Sequence, residues 1–132
     1  MAVKTRAEYL ASLKKLRPNM FKFGERIEDV TIHPATRRVV ESHARAYDAS
    51  QDPSLAGLFT TTSTLTEEKI HRHNSLMTSM EDVISNSKLK REMYRLTGTC
   101  TGALCAGWNG MNTMFAVTHE MDAALGTDYH PR

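Results

Sequence analysis

A chain of 132 residues is long enough for one domain with its own core, or for a piece of a larger protein. Its 40% hydrophobic and 24% charged residues are ordinary for a globular protein, and 17 basic against 15 acidic residues leave a net charge of +2, no case for nucleic acid or an anionic membrane surface. No apolar run reaches the length of a membrane span, and Met1 to Arg6 lack the apolar core of a signal peptide. The expected compartment is the cytoplasm, where two cysteines are thiols or metal ligands before they are a disulfide.

Thr5-Arg6-Ala7-Glu8 reads as a capping box. Tyr9, Leu10, Leu13 and Leu16 follow at helical spacing, and Pro18 ends this first helix near Arg17. Met20 to Ile27 alternates aromatics with a lysine and places Gly24 where a turn would fall, so a short hairpin or an extended ribbon is expected near 20–30. His33-Pro34 opens the next helix, with Val39, Val40, His43, Ala46 and Tyr47 inward and Asp52-Pro53 closing it. His43 reads as a packing residue.

Periodicity fades from Leu58 to Thr78, and the polar tract Thr60 to Thr64 disfavours helix. His71-x-His73 could bind a metal on a strand, but two ligands without a third favour solvated loop histidines. Ser79-Met80-Glu81-Asp82 caps a helix through Val83, Ile84, Leu89, Met93 and Leu96, with an irregularity expected at Ser85-Asn86-Ser87. Its basic residues, Lys88, Lys90, Arg91 and Arg95, read as a solvated face before a phosphate site.

Gly98 separates this helix from the last and longest, which Gly126 stops. Stepped at about 100° per residue, that helix sorts onto three faces. One carries Ala103, Gly107, Gly110, Met114, Val117, Met121 and Leu125; a second carries Leu104, Trp108, Met111 and Phe115. Two apolar faces predict burial on most sides. The third aligns Thr101, Cys105, Asn109, Asn112 and His119. Buried unpaired, such groups cost roughly 1–3 kcal/mol each, so this row needs partners, a ligand or water. The interior glycines, at about 1 kcal/mol each relative to Ala, point to a close approach by another backbone or a cofactor, the alternative being a tightly packed core helix whose Asn and His find backbone partners.

No nucleotide-binding, phosphate-loop, serine-hydrolase or zinc-protease motif occurs, so no catalytic residue is assigned. The one constellation is Cys100-x4-Cys105. Residues five apart on a helix lie about 140° apart around the axis, so the thiols converge only if Cys100 precedes the helix. From the residues alone, two small packed thiols are the simpler reading.

The order of segments resembles the 4-hydroxyphenylacetate 3-hydroxylase / 4-hydroxybutyryl-CoA dehydratase family. The residues that carry this are Phe23-Gly24-Glu25-Arg26-Ile27-Glu28, His33-Pro34, Ser79-Met80-Glu81-Asp82, Cys105-Ala106-Gly107, Thr118-His119-Glu120-Met121-Asp122 and Gly126-Thr127-Asp128-Tyr129-His130. The resemblance runs along essentially the whole chain. It implies an all-α N-terminal helical domain, residues 1–132, of an acyl-CoA dehydrogenase-like flavoenzyme that binds FAD and assembles as a homotetramer. Most of the flavin site and the catalytic bases would then lie in polypeptide beyond this chain, which alone would be inactive.

In the dehydratase branch of that family a [4Fe–4S] cluster takes two cysteines at i and i+4 from this helix. Cys105 matches the second; the first falls on Thr101, with Cys100 one residue early. The resemblance therefore implies Cys105 and Cys100 as cluster ligands, with that departure. The hydroxylase branch needs no cluster. The expected substrate is a hydroxyacyl-CoA, dehydrated by a lyase, or a phenolic acid, hydroxylated by a flavin-dependent monooxygenase. The contrasting reading from the residues is a non-catalytic helical interaction module.

Overall fold

The computed structural model describes residues 3–16, 19–99 and 102–130. Five α-helices, two small antiparallel hairpins and one 3-10 turn make up the described fold. Helix α1 (Arg6–Lys15) starts where the sequence places it, with the Thr5 side chain and Glu8 completing a reciprocal capping box. The first hairpin pairs β1 (Phe21–Lys22) with β2 (Glu25–Arg26), and Phe23 and Gly24 both adopt positive φ at its tip.

Helix α2 (Arg37–Gln51) begins later than His33-Pro34. Residues 33–36 form a turn instead: the Ala35 N–H donates to His33 Nδ1, and Thr36 Oγ1 donates to the Val30 carbonyl. The inward face is Val40, Ala44, Ala46, Ala49 and Ser50, while Val39 is exposed. Arg6 ties α1 to α2 by ion pairs to Glu41 and Asp48.

The stretch without clear periodicity folds into α3 (Ala56–Phe59) and a second hairpin, β3 (Thr60–Thr62) with β4 (Lys69–His71), followed by the 3-10 turn Arg72–Asn74. Arg72 explains why so short a helix persists. Its guanidinium donates to the carbonyls of Leu58 (2.7 Å), Gly57 (3.2 Å) and Thr60 (3.1 Å), satisfying groups a helix C-terminus leaves open.

Helix α4 (Met80–Thr97) has its own capping box from Ser79 and Asp82, and Gly98 ends it in the left-handed conformation. It runs without a break through Ser85-Asn86-Ser87, because Asn86 is buried and its amide donates to Met77 Sδ; Val83 and Ile84 lie outward. Helix α5 (Gly102–Leu125) ends at Gly126, also at positive φ.

Two apolar clusters organise the packing. The larger joins Ala46 and Ala49 of α2, Phe59 of α3, Leu89 and Met93 of α4 and Trp108 of α5. The smaller holds Ile27, Val30 and Val40 against Tyr9, Leu10 and Leu13 of α1. Helix α5 is not buried on most sides. Gly107, Gly110, Met114, Val117 and Leu125, one predicted apolar face, are exposed, and a Cβ added at Gly107 or Gly110 would meet nothing within 4 Å. No described part of this chain covers that face. Among the described residues, no helix is long and apolar enough to cross a membrane.

Candidate functional site

The packed side of α5 begins with Trp108, whose indole Nε1 donates to the Ser75 carbonyl at 2.7 Å. Asn112, one turn on, donates to the carbonyls of Ser75 and Trp108 and accepts the Met77 N–H at 2.6 Å. These bonds lash the segment after the 3-10 turn to α5. The row of polar groups thus divides. Asn112 is satisfied within the chain, Asn109 is exposed, Cys105 is a half-buried free thiol, and Thr101 lies outside the described residues.

Beyond α5 the chain turns back at Gly126, and Asp122 fixes where it goes. Its carboxylate accepts from Thr127 Oγ1 (2.7 Å), from the Tyr129 N–H (2.9 and 3.0 Å) and from the His130 N–H (2.7 Å). The Tyr129 amide first, then the Thr127 hydroxyl, hold its pKa below the usual carboxylate value. The His130 ring packs edge-on to Phe115 (4.2 Å) and His119 (5.1 Å).

His130 Nδ1 lies 3.3 Å from Thr118 Oγ1. That hydroxyl already donates its proton to the Met114 carbonyl at 2.7 Å, so it accepts from His130, placing the ring proton on Nδ1 and the lone pair on Nε2. Tyr129, His130 and Thr118 line a cavity of about 370 Å³ whose other walls include Leu65, Leu76, Met111, Met114 and Phe115. An apolar, aromatic-walled pocket with a few convergent polar groups is the usual form of a small-molecule site.

A second cluster joins α1, α2 and β4. Tyr9 stacks on Tyr47 (4.4 Å), Tyr47 meets the edge of His71 (4.7 Å), and His71 stacks on His73 (5.3 Å). His71 and His73 are both buried, so they are not solvated loop histidines. Burial first, then the neighbouring His71 and His43, pushes His73 down to about 4. Burial likewise lowers His71 and His43. His71 and His73 do not form a metal site, since no group of three His, Cys, Asp or Glu converges among the described residues.

The same observation bears on the thiols. Cys105 has no partner ligand among the described residues, and Cys100 lies outside them. Sequence reasoning gave His130 and Asp122 no role, although Asp122 followed by Gly126 and two aromatic residues is a recognisable helix-exit arrangement.

Residues 5–132 match the family described as 4-hydroxyphenylacetate 3-hydroxylase N terminal. The chain is 36% identical over 126 residues to 4-hydroxybutyryl-CoA dehydratase/vinylacetyl-CoA-Delta-isomerase of Clostridium aminobutyricum, covering 96% of this chain and 26% of that protein. An oxygen-tolerant archaeal 4-hydroxybutyryl-CoA dehydratase from N. maritimus superposes with a TM-score of 0.90 at 29% identity, covering 98% of this chain and 25% of the other. The oxygenase component of 4-hydroxyphenylacetate 3-monooxygenase, complexed with FAD, superposes with a TM-score of 0.58 at 28% identity, covering 68% of this chain and 19% of the other. The chain thus spans about a quarter of the length of each dehydratase.

Proposed function

The chain belongs to the 4-hydroxyphenylacetate 3-hydroxylase N-terminal family, and from that premise we propose that residues 1–132 are the N-terminal helical domain of a longer FAD-dependent enzyme that dehydrates a hydroxyacyl-CoA. One observation carries the choice of branch. The likeness to the dehydratase extends over 98% of the chain with a TM-score of 0.90, against 68% and 0.58 for the oxygenase. The exposed apolar face of α5 supports its burial by further polypeptide, and a cytoplasmic homotetramer is part of the same reading.

The flavin fits this chain only in part. The sequence holds no glycine-rich phosphate-binding loop, so the residues that grip FAD are placed in the rest of the enzyme. When bound, the flavin supplies electron transfer to and from the substrate. The described residues do not by themselves make an iron–sulfur site, since a cubane needs four ligands and Cys105 offers one. Cys105, and Cys100 with it, remain this chain's contribution to any cluster completed from elsewhere. The role of the chain's own residues is to bind and orient. The His130 cavity takes the reacting end of the substrate, with Nε2 accepting a hydrogen bond from its hydroxyl and the Asp122 clamp fixing the ring's position.

The second reading is hydroxylation of a phenolic acid, and the one-residue shift of Cys100 favours it because that chemistry needs no cluster. Full-length enzyme, purified without oxygen and given 4-hydroxybutyryl-CoA, tests the choice by mass spectrometry. Loss of water from the thioester is expected. Inertness toward it, with oxygen-dependent hydroxylation of 4-hydroxyphenylacetate, would overturn the dehydratase reading.

A further inference from the structure

Two walls of the His130 cavity come from different elements. Met111, Met114 and Phe115 belong to α5, while Ser63 and Leu65 belong to the loop that joins β3 to β4. That loop, Ser63 to Glu68, is polar except for Leu65, which is 61% exposed. A leucine left in water gains nothing from folding, yet the backbone around this one is tightly fixed. Ser63 Oγ accepts both the Leu65 and the Thr66 N–H at 3.2 Å. The Ser63 N–H donates to the Glu68 carbonyl (2.8 Å), and the Glu67 N–H donates to the Ser63 carbonyl (3.0 Å). Glu67 adopts a φ of 58°, a left-handed conformation that residues with a side chain rarely take. Such a backbone persists only where its surroundings impose it, and it gathers at sites that need a fixed shape.

We propose that Leu65 is a specificity-determining wall of this cavity and that Ser63 is the positioning residue that holds it there. This rests on the reading of the His130 cavity as the seat of the substrate's reacting end, and adds what sets the bulk that end can carry. Met111 and Met114 are exposed like Leu65, so a ligand that fills the cavity takes apolar surface of both elements out of water. A ligand with one carbon too many meets the leucine, which cannot step aside without breaking the bonds to Ser63 Oγ. One carbon more or less in an apolar pocket changes kcat/KM by about tenfold or more.

The test uses full-length enzyme, 4-hydroxybutyryl-CoA and its analogue with one additional methyl on the hydroxyl-bearing carbon, and reads the ratio of their kcat/KM values. Leu65→Ala should shift that ratio toward the analogue by about tenfold, and Leu65→Phe should shift it the other way. Ser63→Ala should act in the direction of Leu65→Ala with the leucine still present, and Ser63→Thr, which keeps the hydroxyl, should restore the ratio. Because Leu65 is exposed, its two variants should keep the Tm and FAD content of the unmutated enzyme. An unchanged ratio in both Leu65 variants, with 4-hydroxybutyryl-CoA still turned over, would overturn the wall and leave the dehydratase reading standing. A lowered Tm with an unchanged ratio would overturn it too, by showing that further polypeptide covers Leu65. Inertness of the unmutated enzyme toward 4-hydroxybutyryl-CoA would overturn the dehydratase reading instead. The same variants, scored on 4-hydroxyphenylacetate against a ring-methylated analogue, would then decide the wall by the same ratio.

Discussion

Helices α4 and α5 are both long and both carry periodic apolar residues, yet they are used differently. On α4 the residues that sink, Leu89 and Met93, meet α2 and α3 in one cluster with Phe59. On α5 only Trp108 is fully buried among the described side chains, and Met114, Val117 and Leu125 face outward. Periodicity states which residues share a face; it does not state whether the same chain supplies the cover. The core around Phe59 is closed by the described residues, whereas they leave the outer face of α5 open, the face that further polypeptide covers in the proposed longer enzyme.

The strongest way to break this contrast is to empty the closed half. Phe59→Ala should cost about 3–5 kcal/mol, read from urea denaturation, because the ring is fully enclosed. A loss no larger than that of a surface substitution would mean the core is not closed.

The histidine stack gives the next effect, through pH. Unfolded, His73 titrates near its ordinary value of 6.5; folded, it titrates at about 4. Between those values only the unfolded state holds the proton, so the stability is full above the upper value and lost as pH falls toward the lower one. The linked loss is about 3 kcal/mol, with His71 and His43 acting in the same direction. His73→Phe should flatten the stability profile across that window.

Ser79→Ala should cost about 1 kcal/mol by removing the hydroxyl that caps α4. Val117→Gln should change the stability of this chain by no more than about 0.5 kcal/mol, while destabilising the proposed longer enzyme, in which that face is covered. Similar effects in both would argue that α5 stays bare.

Much of the fold was legible because local signals decided it. The capping boxes at Thr5 and Ser79 and the turn at Gly24 each depend on neighbours within a few residues. Helix α3 and the hairpin after it were not legible, since the α3 carbonyls are held by the Arg72 guanidinium from up to 15 residues away and the strands by their own cross-strand pairing. The buried histidines were missed for the same reason: His71 meets Tyr47 on a different element, and His73 stacks on His71. Val39 shows the reverse error, an apolar residue assigned inward that lies exposed among the described residues. Of the candidate site, the resemblance brought in the segment from Thr118 to His130, but the Asp122 clamp that gives His130 its position appears only in three dimensions.

Amide hydrogen exchange on α5, in the 132-residue chain and in the full-length enzyme, tests the central claim most directly. In the chain alone, amides from Met114 to Leu125 should exchange far faster than those of α4 around Leu89 and Met93, and in the full-length enzyme the two helices should be comparably protected. Equal, strong protection of both helices in the isolated chain would contradict the account, because α5 would then need no cover from the rest of the enzyme.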